Sequence, residues 1–329
     1  MPVSIPDLSI DPTALDVITG GPALEWATSW SEQTAAQRPQ QEMQELAGRI
    51  RDALDTDDRI PYVTRRGEYL YNFWRDREHP RGLWRRTTLE SYLKGPGKTE
   101  WQVLVDVGKL AKLENEDWVW KGATVRPVAN DVALVRLSRG GADAVVVREF
   151  DLDAVDFVGG ADGFELPEAK SDVSWLDADT LLVGTDLGSG TVTESGYPVE
   201  VRRWSRGTPL RKGPVIFRGS QADVAVGAHV DHTPGFERVT FSRALDFYTS
   251  TTLVAPLDDL EAMRLIDAPI DCTVVPHKQW LFLLPRTEFA GLTAGTLGVI
   301  ELDRFLAGDR DITVLVDDTT VENLSTTAS

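Results

Sequence analysis

The chain has 329 residues, 34 Lys and Arg against 52 Asp and Glu, a formal net charge of −18 and 42% hydrophobic residues. An acidic surface of that strength argues against nucleic acid, whose phosphates it would repel. The apolar fraction, with ten tryptophans, permits a packed core and excludes a disordered polymer.

Cys272 is the only cysteine and cannot close an internal disulfide, which fits a reducing compartment. Met1-Pro-Val-Ser-Ile-Pro-Asp7 lacks the cationic and apolar regions of a secretory leader. No apolar run approaches the roughly 18–20 residues of a membrane helix. A cytoplasmic protein with no membrane and no nucleic-acid partner is the expectation.

Two regions are expected, an N-terminal helical segment over residues 1–58 and a β domain over 59–329. Around Ser31-Glu-Gln-Thr34 a polar, Ala-rich stretch predicts a short helix, interrupted near Pro39. Met43, Leu46, Ala47, Ile50 and Leu54 then recur at helical spacing, giving an amphipathic helix that ends near Asp55-Thr-Asp-Asp58. Its apolar stripe is expected to pack on the protein's own body.

After Arg59 the pattern becomes that of strands. A first unit takes Ile60–Thr64, a turn at Arg65–Glu68, then Tyr69–Trp74, Leu83–Thr88 and Trp101–Asp106. A second takes Trp118–Val125, Val132–Leu137, Ala144–Phe150 and Gly163–Pro167. The third opens with Val173, Trp175 and Leu176, turns at Asp177-Ala-Asp179 and returns through Leu181–Val183, because Asp side chains bond their own backbone in tight turns. It continues with Val199–Trp204 and Pro214–Phe217. A fourth carries Arg238–Ser242, Phe247–Val254 and Met263–Asp267, and a fifth Cys272–Val275, Gln279–Leu284, Leu297–Leu302 and Ile312–Val316. Helix signals beyond residue 60 are nearly absent, the best being Asp303–Ala307.

Each unit closes on a similar short strand, at Val105, Leu166, Ile216, Ile266 and Leu315, at intervals of 61, 50, 50 and 49 residues. A period of about 50 residues with four short strands is the signature of a β-propeller blade. One blade cannot bury both its faces, so several must stack around an axis. The fold expected is all-β, a propeller of about five four-stranded blades behind a short helical segment.

Asp58-Arg-Ile-Pro-Tyr62, Tyr69-Leu-Tyr-Asn-Phe-Trp-Arg-Asp76, the segment Glu78–Glu90 and Asn115-Glu-Asp-Trp-Val-Trp-Lys-Gly122 resemble the N-terminal region of bacterial prolyl-oligopeptidase-type serine peptidases. Ser138–Asp143, Phe164–Lys170, Thr193–Pro198, Thr233–Arg238 and Arg243–Tyr248 extend the resemblance over essentially the whole chain. It implies a seven-bladed propeller over the mouth of an α/β-hydrolase domain, which restricts entry to short peptides. That domain would carry a Ser-Asp-His triad downstream and cleave after proline. The chain stops at Ser329, after about five of the seven blades, and the polar tail Val321–Ser329 reads as a severed loop or an unfinished blade.

No catalytic, cofactor-binding or metal-binding residue is assigned in these residues, and no cofactor is expected. The Gly-x-Ser-x-Gly elbow of an α/β-hydrolase is missing, and Ser189 in Asp186-Leu-Gly-Ser-Gly190 reads as a loop serine. His229-Val-Asp-His232 suggests a metal, but on a strand His229 and Asp231 share a face that His232 leaves. His79 and His277 read as surface residues beside prolines, and Cys272 as a small buried residue. Arg75, Arg77, Arg81, Arg85 and Arg86 with Trp74 and Trp84 form a basic aromatic cluster, expected to pair with carboxylates of neighbouring blades.

Three functions compete. The first is the propeller portion of a prolyl-oligopeptidase-like peptidase, inactive alone and partnered by a hydrolase domain in cis or in trans. The second is a complete five-bladed glycoside hydrolase using carboxylates such as Asp172, Asp177 and Asp231. The third is a protein-binding scaffold. An open ring would also expose sheet edges, so self-association through them, or closure into a narrower ring, is expected.

Overall fold

The computed structural model describes residues 9–16, 21–56, 59–160 and 163–317. The tail Val321–Ser329, the leader region Met1–Asp7 and the helix end at Asp57–Asp58 lie outside them.

Two compact units emerge, one of residues 1–60 with 75–80 and one of 61–74 with 81–329. The smaller unit holds α1 (Gly21–Ala36) and α2 (Gln40–Leu54). Pro39 separates them, because proline has no N–H to donate and suits a helix start. Trp26 and Trp30 meet edge-on along α1, 6.4 Å between centroids. Met43, Leu46, Ile50 and Leu54 of α2 are exposed.

The larger unit is five antiparallel sheets, each a meander of four consecutive strands. The first is β1 (Thr64–Arg66), β2 (Tyr69–Trp74), β3 (Leu83–Thr88) and β4 (Gln102–Asp106). The second is β5 (Trp118–Val125), β6 (Val132–Arg139), β7 (Val145–Asp151) and β8 (Asp156–Phe157), with β9 (Glu165–Ala169) also on β7. The third is β10 (Asp172–Trp175), β11 (Thr180–Gly184), β12 (Glu200–Ser205) and β13 (Val215–Arg218). The fourth is β14 (Ala225–Asp231), β15 (Arg238–Ala244), β16 (Ser250–Pro256) and β17 (Arg264–Leu265). The fifth is β18 (Thr273–His277), β19 (Trp280–Leu284), β20 (Leu297–Glu301) and β21 (Thr313–Val316). The β-propeller expectation stands on this iteration.

Some details differ from the sequence reading. The outer edge of β7 is covered in two pieces, β8 against Phe150–Asp151 and β9 against Val145–Arg148. Three further α-helices are present among the described residues: α3 (Leu89–Tyr92), α4 (Val107–Glu114) and α5 (Leu302–Leu306). Only α5 has a counterpart among the expectations. In α4 the Asp106 carboxylate accepts the Lys109 N–H at 2.9 Å, and Asn115 closes the helix at a left-handed φ of 53°. This helix and the divided β7 edge account for the longer first interval. Strand β14 was missed because Ala225, Gly227 and Ala228 are weak strand formers, though Val226, Ala228 and Val230 alternate inward.

Four hydrophobic clusters bury the sheet faces, each spanning two consecutive sheets. Trp84 and Phe150 meet between the first and second, Phe164 and Trp175 between the second and third. Leu182 and Phe241 join the third to the fourth, Val254 and Leu281 the fourth to the fifth. Among the described residues no cluster joins the first sheet to the fifth. Arginines reinforce the seams by donating to backbone carbonyls of the next sheet: Arg81 to Trp118, Arg126 to Ala178 and Arg238 to Lys278.

Antiparallel meanders give every sheet the same polarity. The turns between strands one and two, and three and four, share a hairpin end. The turns between strands two and three lie at the opposite, linking end, with the connections from sheet to sheet.

Candidate functional site

The opening strands of the second, third and fourth sheets bond across their seams. Trp175 Nε1 donates to the Thr124 carbonyl at 3.2 Å, tying β10 to β5. Ser174 Oγ donates to the Ala228 carbonyl at 3.0 Å, and the Ala228 N–H donates to Asp172 Oδ2 at 3.2 Å, tying β10 to β14. These three strands therefore lie together, and polar side chains collect beside them.

Asp172 is the centre of that collection. Its side chain reaches solvent, but protein surrounds it on most sides, and this enclosure raises its pKa above the ordinary carboxylate value. The Ala228 N–H, Arg136 and His229 oppose that rise by favouring the charged form. Burial in turn lowers the pKa of Arg136, whose Nη1 donates to Thr124 Oγ1 at 3.1 Å, while Asp172 pulls it back up. Gly227 packs close to the carboxylate, since a Cβ there would sit 2.8 Å from Asp172 Oδ2 and displace it. The result is a mixed-charge patch, suited to holding polar backbone or charged termini through hydrogen bonds.

The other residues singled out from the sequence scatter. Asp177 lies in the β10–β11 hairpin, at the far end of β10 from Asp172, exposed and accepting the Asp179 N–H at 2.8 Å. Asp231, three residues beyond Ala228 on β14, sits about 10 Å further along the strand direction. Burial acts to raise its pKa, but donors from Thr233 outweigh this, helped by Arg238 and His229, and the net shift is downward. The three carboxylates are thus not brought together as a glycosidase pair, which needs its carboxyls about 5–9.5 Å apart across one bond.

His232 Nε2 is 2.8 Å from the Trp175 carbonyl, so it serves the seam rather than joining exposed His229. Among the described residues no group of three or more His, Cys, Asp or Glu is placed to hold a metal. Ser189 is exposed in its loop. Cys272 is buried in the fourth cluster, and burial pushes its thiol up to about 11. His79 Nδ1 pairs with Asp76 Oδ1 at 2.9 Å, and His277 ends β18 on the surface.

The basic aromatic cluster divides between structural tasks. Arg85 lies between Trp74 and Trp101, 4.6 and 4.1 Å from their centroids. Buried Arg86 stacks over Tyr69 and donates to the Leu152 carbonyl of the second sheet at 2.8 Å. The expected pairing with a carboxylate of the neighbouring sheet is made by Arg81 with Asp117 and by Arg86 with Asp153 at 4.0 Å, whereas Arg77 pairs with Asp52 of α2. Sequence reasoning missed Arg136, because nothing in Val135-Arg-Leu137 marks an arginine that meets the following sheet.

Residues 27–285 match the family described as prolyl oligopeptidase, N-terminal beta-propeller domain. The chain belongs to the prolyl oligopeptidase family. It is similar to the uncharacterized peptidase y4nA of Sinorhizobium fredii, 35% identical over 271 residues that cover 80% of this chain and 36% of the relative. It also resembles the uncharacterized peptidase RP174 of Rickettsia prowazekii, 28% identical over 318 residues covering 92% and 44%. Its fold superposes on a post-proline cleaving enzyme from Rickettsia typhi with a TM-score of 0.79 at 28% identity, covering 89% of this chain and 45% of that one. The chain thus spans less than half the length of each of these relatives.

Proposed function

We propose that this chain is the propeller portion of a proline-specific serine peptidase of the cytoplasm, controlling the passage of short peptides to an α/β-hydrolase domain joined in cis or supplied in trans. The triad would belong to that domain. The observation that carries this reading is the patch of Asp172, Arg136 and His229 beside the opening strands. A passage for peptides must stay wet and polar, whereas apolar side chains there would seal it. The Asp172 carboxylate and the Arg136 guanidinium offer complementary contacts to the two ends of a short zwitterionic peptide.

A second feature supports a partner domain. The linking end exposes Phe247 (94%), Tyr248 and Ile270, and Tyr62 precedes β1 at the same end. Exposed aromatic surface of this kind favours burial against another protein surface. The exposed Val314 and Leu315 of β21 favour self-association of the isolated chain through its sheet edge.

Incubating the purified chain with a chromogenic Gly-Pro substrate tests the division of labour. No turnover is expected from the chain alone, and a hydrolase-domain fragment of the S. fredii relative should be retained on the immobilised chain. Robust turnover by the chain itself would overturn the proposal, as would retention left unchanged by Phe247→Ser with Tyr248→Ser.

A further inference from the structure

We propose that a cleft between the fourth and fifth sheets binds a monoanionic carboxylate ligand with a small apolar body. The site lies at the hairpin end, away from the Asp172 patch, and the inference does not depend on the peptidase reading. The cleft encloses about 410 Å³. That is room for a leucine-sized group together with its carboxylate.

Its polar centre is Arg238, the first residue of β15, which is only 8% exposed. Nε donates to the Phe236 carbonyl at 3.0 Å, and Nη2 donates to the Lys278 carbonyl. Nη1 has no protein partner among the described residues, yet it is not sealed from solvent. Two backbone carbonyls therefore fix the guanidinium while one amino group opens on the cleft. A fork held rigid in this way loses little entropy when an oxyanion arrives.

Two further cations share the wall. Lys278 turns the β18–β19 hairpin at a left-handed φ of 50° and lines the cleft, with no ion pair among the described residues. Arg264 is anchored by an Nη2 bond to the Leu306 carbonyl at 2.6 Å. Buried Val254, Ala255 and Leu302 provide the apolar wall.

The carboxylates of Glu237 and Asp303 also line the cleft. Asp231 Oδ2 also lies 3.7 Å from Arg238 Nε, so three cations are matched by three carboxylates, and it is the open Nη1 rather than a net positive charge that a single carboxylate would meet. A phosphate dianion would carry excess charge against both acidic side chains. The acid has two possible sources, a free small acid or the C-terminus of a short peptide.

Calorimetric titration of the full chain decides the matter, using N-acetyl-leucine, its primary amide, an N-acetylated Ala-Ala-Leu tripeptide and inorganic phosphate. Saturable one-to-one binding of the acids is expected, with the amide about tenfold weaker for want of one charge-assisted hydrogen bond. Lys278→Gln and Arg264→Gln should each weaken the acids about threefold or more while leaving the unfolding midpoint in place. Tighter binding of the tripeptide assigns a peptide C-terminus, and equal affinities assign the small acid. The proposal is overturned if no acid saturates, if acid and amide bind equally, if phosphate binds more tightly, or if Lys278→Gln and Arg264→Gln both bind the acids like the parent.

Discussion

Truncating Arg206 to alanine should be among the most damaging substitutions in the β unit. Arg206 follows β12 in the third sheet, and its Nη1 and Nη2 reach both oxygens of Glu149 on β7 of the second, at 2.7 and 3.0 Å. The Glu149 side chain is 2% exposed, and among the described residues it accepts, apart from this fork, only the Phe164 N–H, at 2.8 Å. Arg206→Ala leaves that carboxylate buried with a single donor. The loss expected for breaking a buried pair from one side is about 3–5 kcal/mol. The guanidinium also sits 4.4 Å over the Phe164 ring, adding lost packing. Its bond to Asp179 contributes little, since that carboxylate is mostly in water, and Asp179→Ala should cost no more than about 1 kcal/mol. Urea unfolding followed by tryptophan emission reports on the seam, because Trp175 and Trp204 both pack on Phe164. Adding Glu149→Gln to Arg206→Ala should restore part of the loss by removing the uncompensated charge. If Arg206→Ala stays within about 1 kcal/mol of the parent, or the double variant is no better than the single, the argument fails.

Further outcomes follow from the same reasoning. Asp223 accepts Arg243 Nε and Nη2 at 2.8 and 3.0 Å and has a lowered pKa, with the Arg243 hydrogen bonds as the main cause. Its contribution is therefore full above the ordinary carboxyl value and lost as pH falls through the folded one; Asp223→Asn should destabilise at pH 7 but converge with the parent in acid-unfolding curves. The raised pKa of Asp172 has the opposite sign, so the parent loses stability as pH rises from the ordinary carboxyl value through the folded one. Asp172→Asn should flatten that slope in melting temperature against pH, and an unchanged slope would refute it. Gly82 has φ of 95°, and an added Cβ would lie 2.2 Å from the Phe73 ring, which stacks on Trp120. Gly82→Ala should cost more than about 2 kcal/mol in urea unfolding. Leu182→Ala removes a fully buried side chain between the third and fourth sheets and should cost about 2–5 kcal/mol by the same assay.

The iteration of short apolar runs, and the sheet architecture with it, was legible in the chain because strand patterning and turn chemistry are local. Asp177-Ala-Asp179 turns where Asx chemistry requires it, and β2, β3 and β5 occupy the residues their patterning marks. Motifs over residues 58–248 carried the family resemblance. Weak local signals hid β14 and α4, whose Ala, Gly and short amphipathic turn are stabilised by packing against neighbours rather than by propensity. The functional patch could not be read in advance for a stronger reason. Asp172 is 36 residues beyond Arg136 and 57 short of His229, and only the stacking of three sheets places one acid and two bases together. Likewise Arg85 and Arg86 look alike in sequence, yet one lies between two indoles and the other bonds across a seam. Local chemistry determines which segments become strands; which charged groups meet depends on desolvation and distance, and these exist only once the sheets pack.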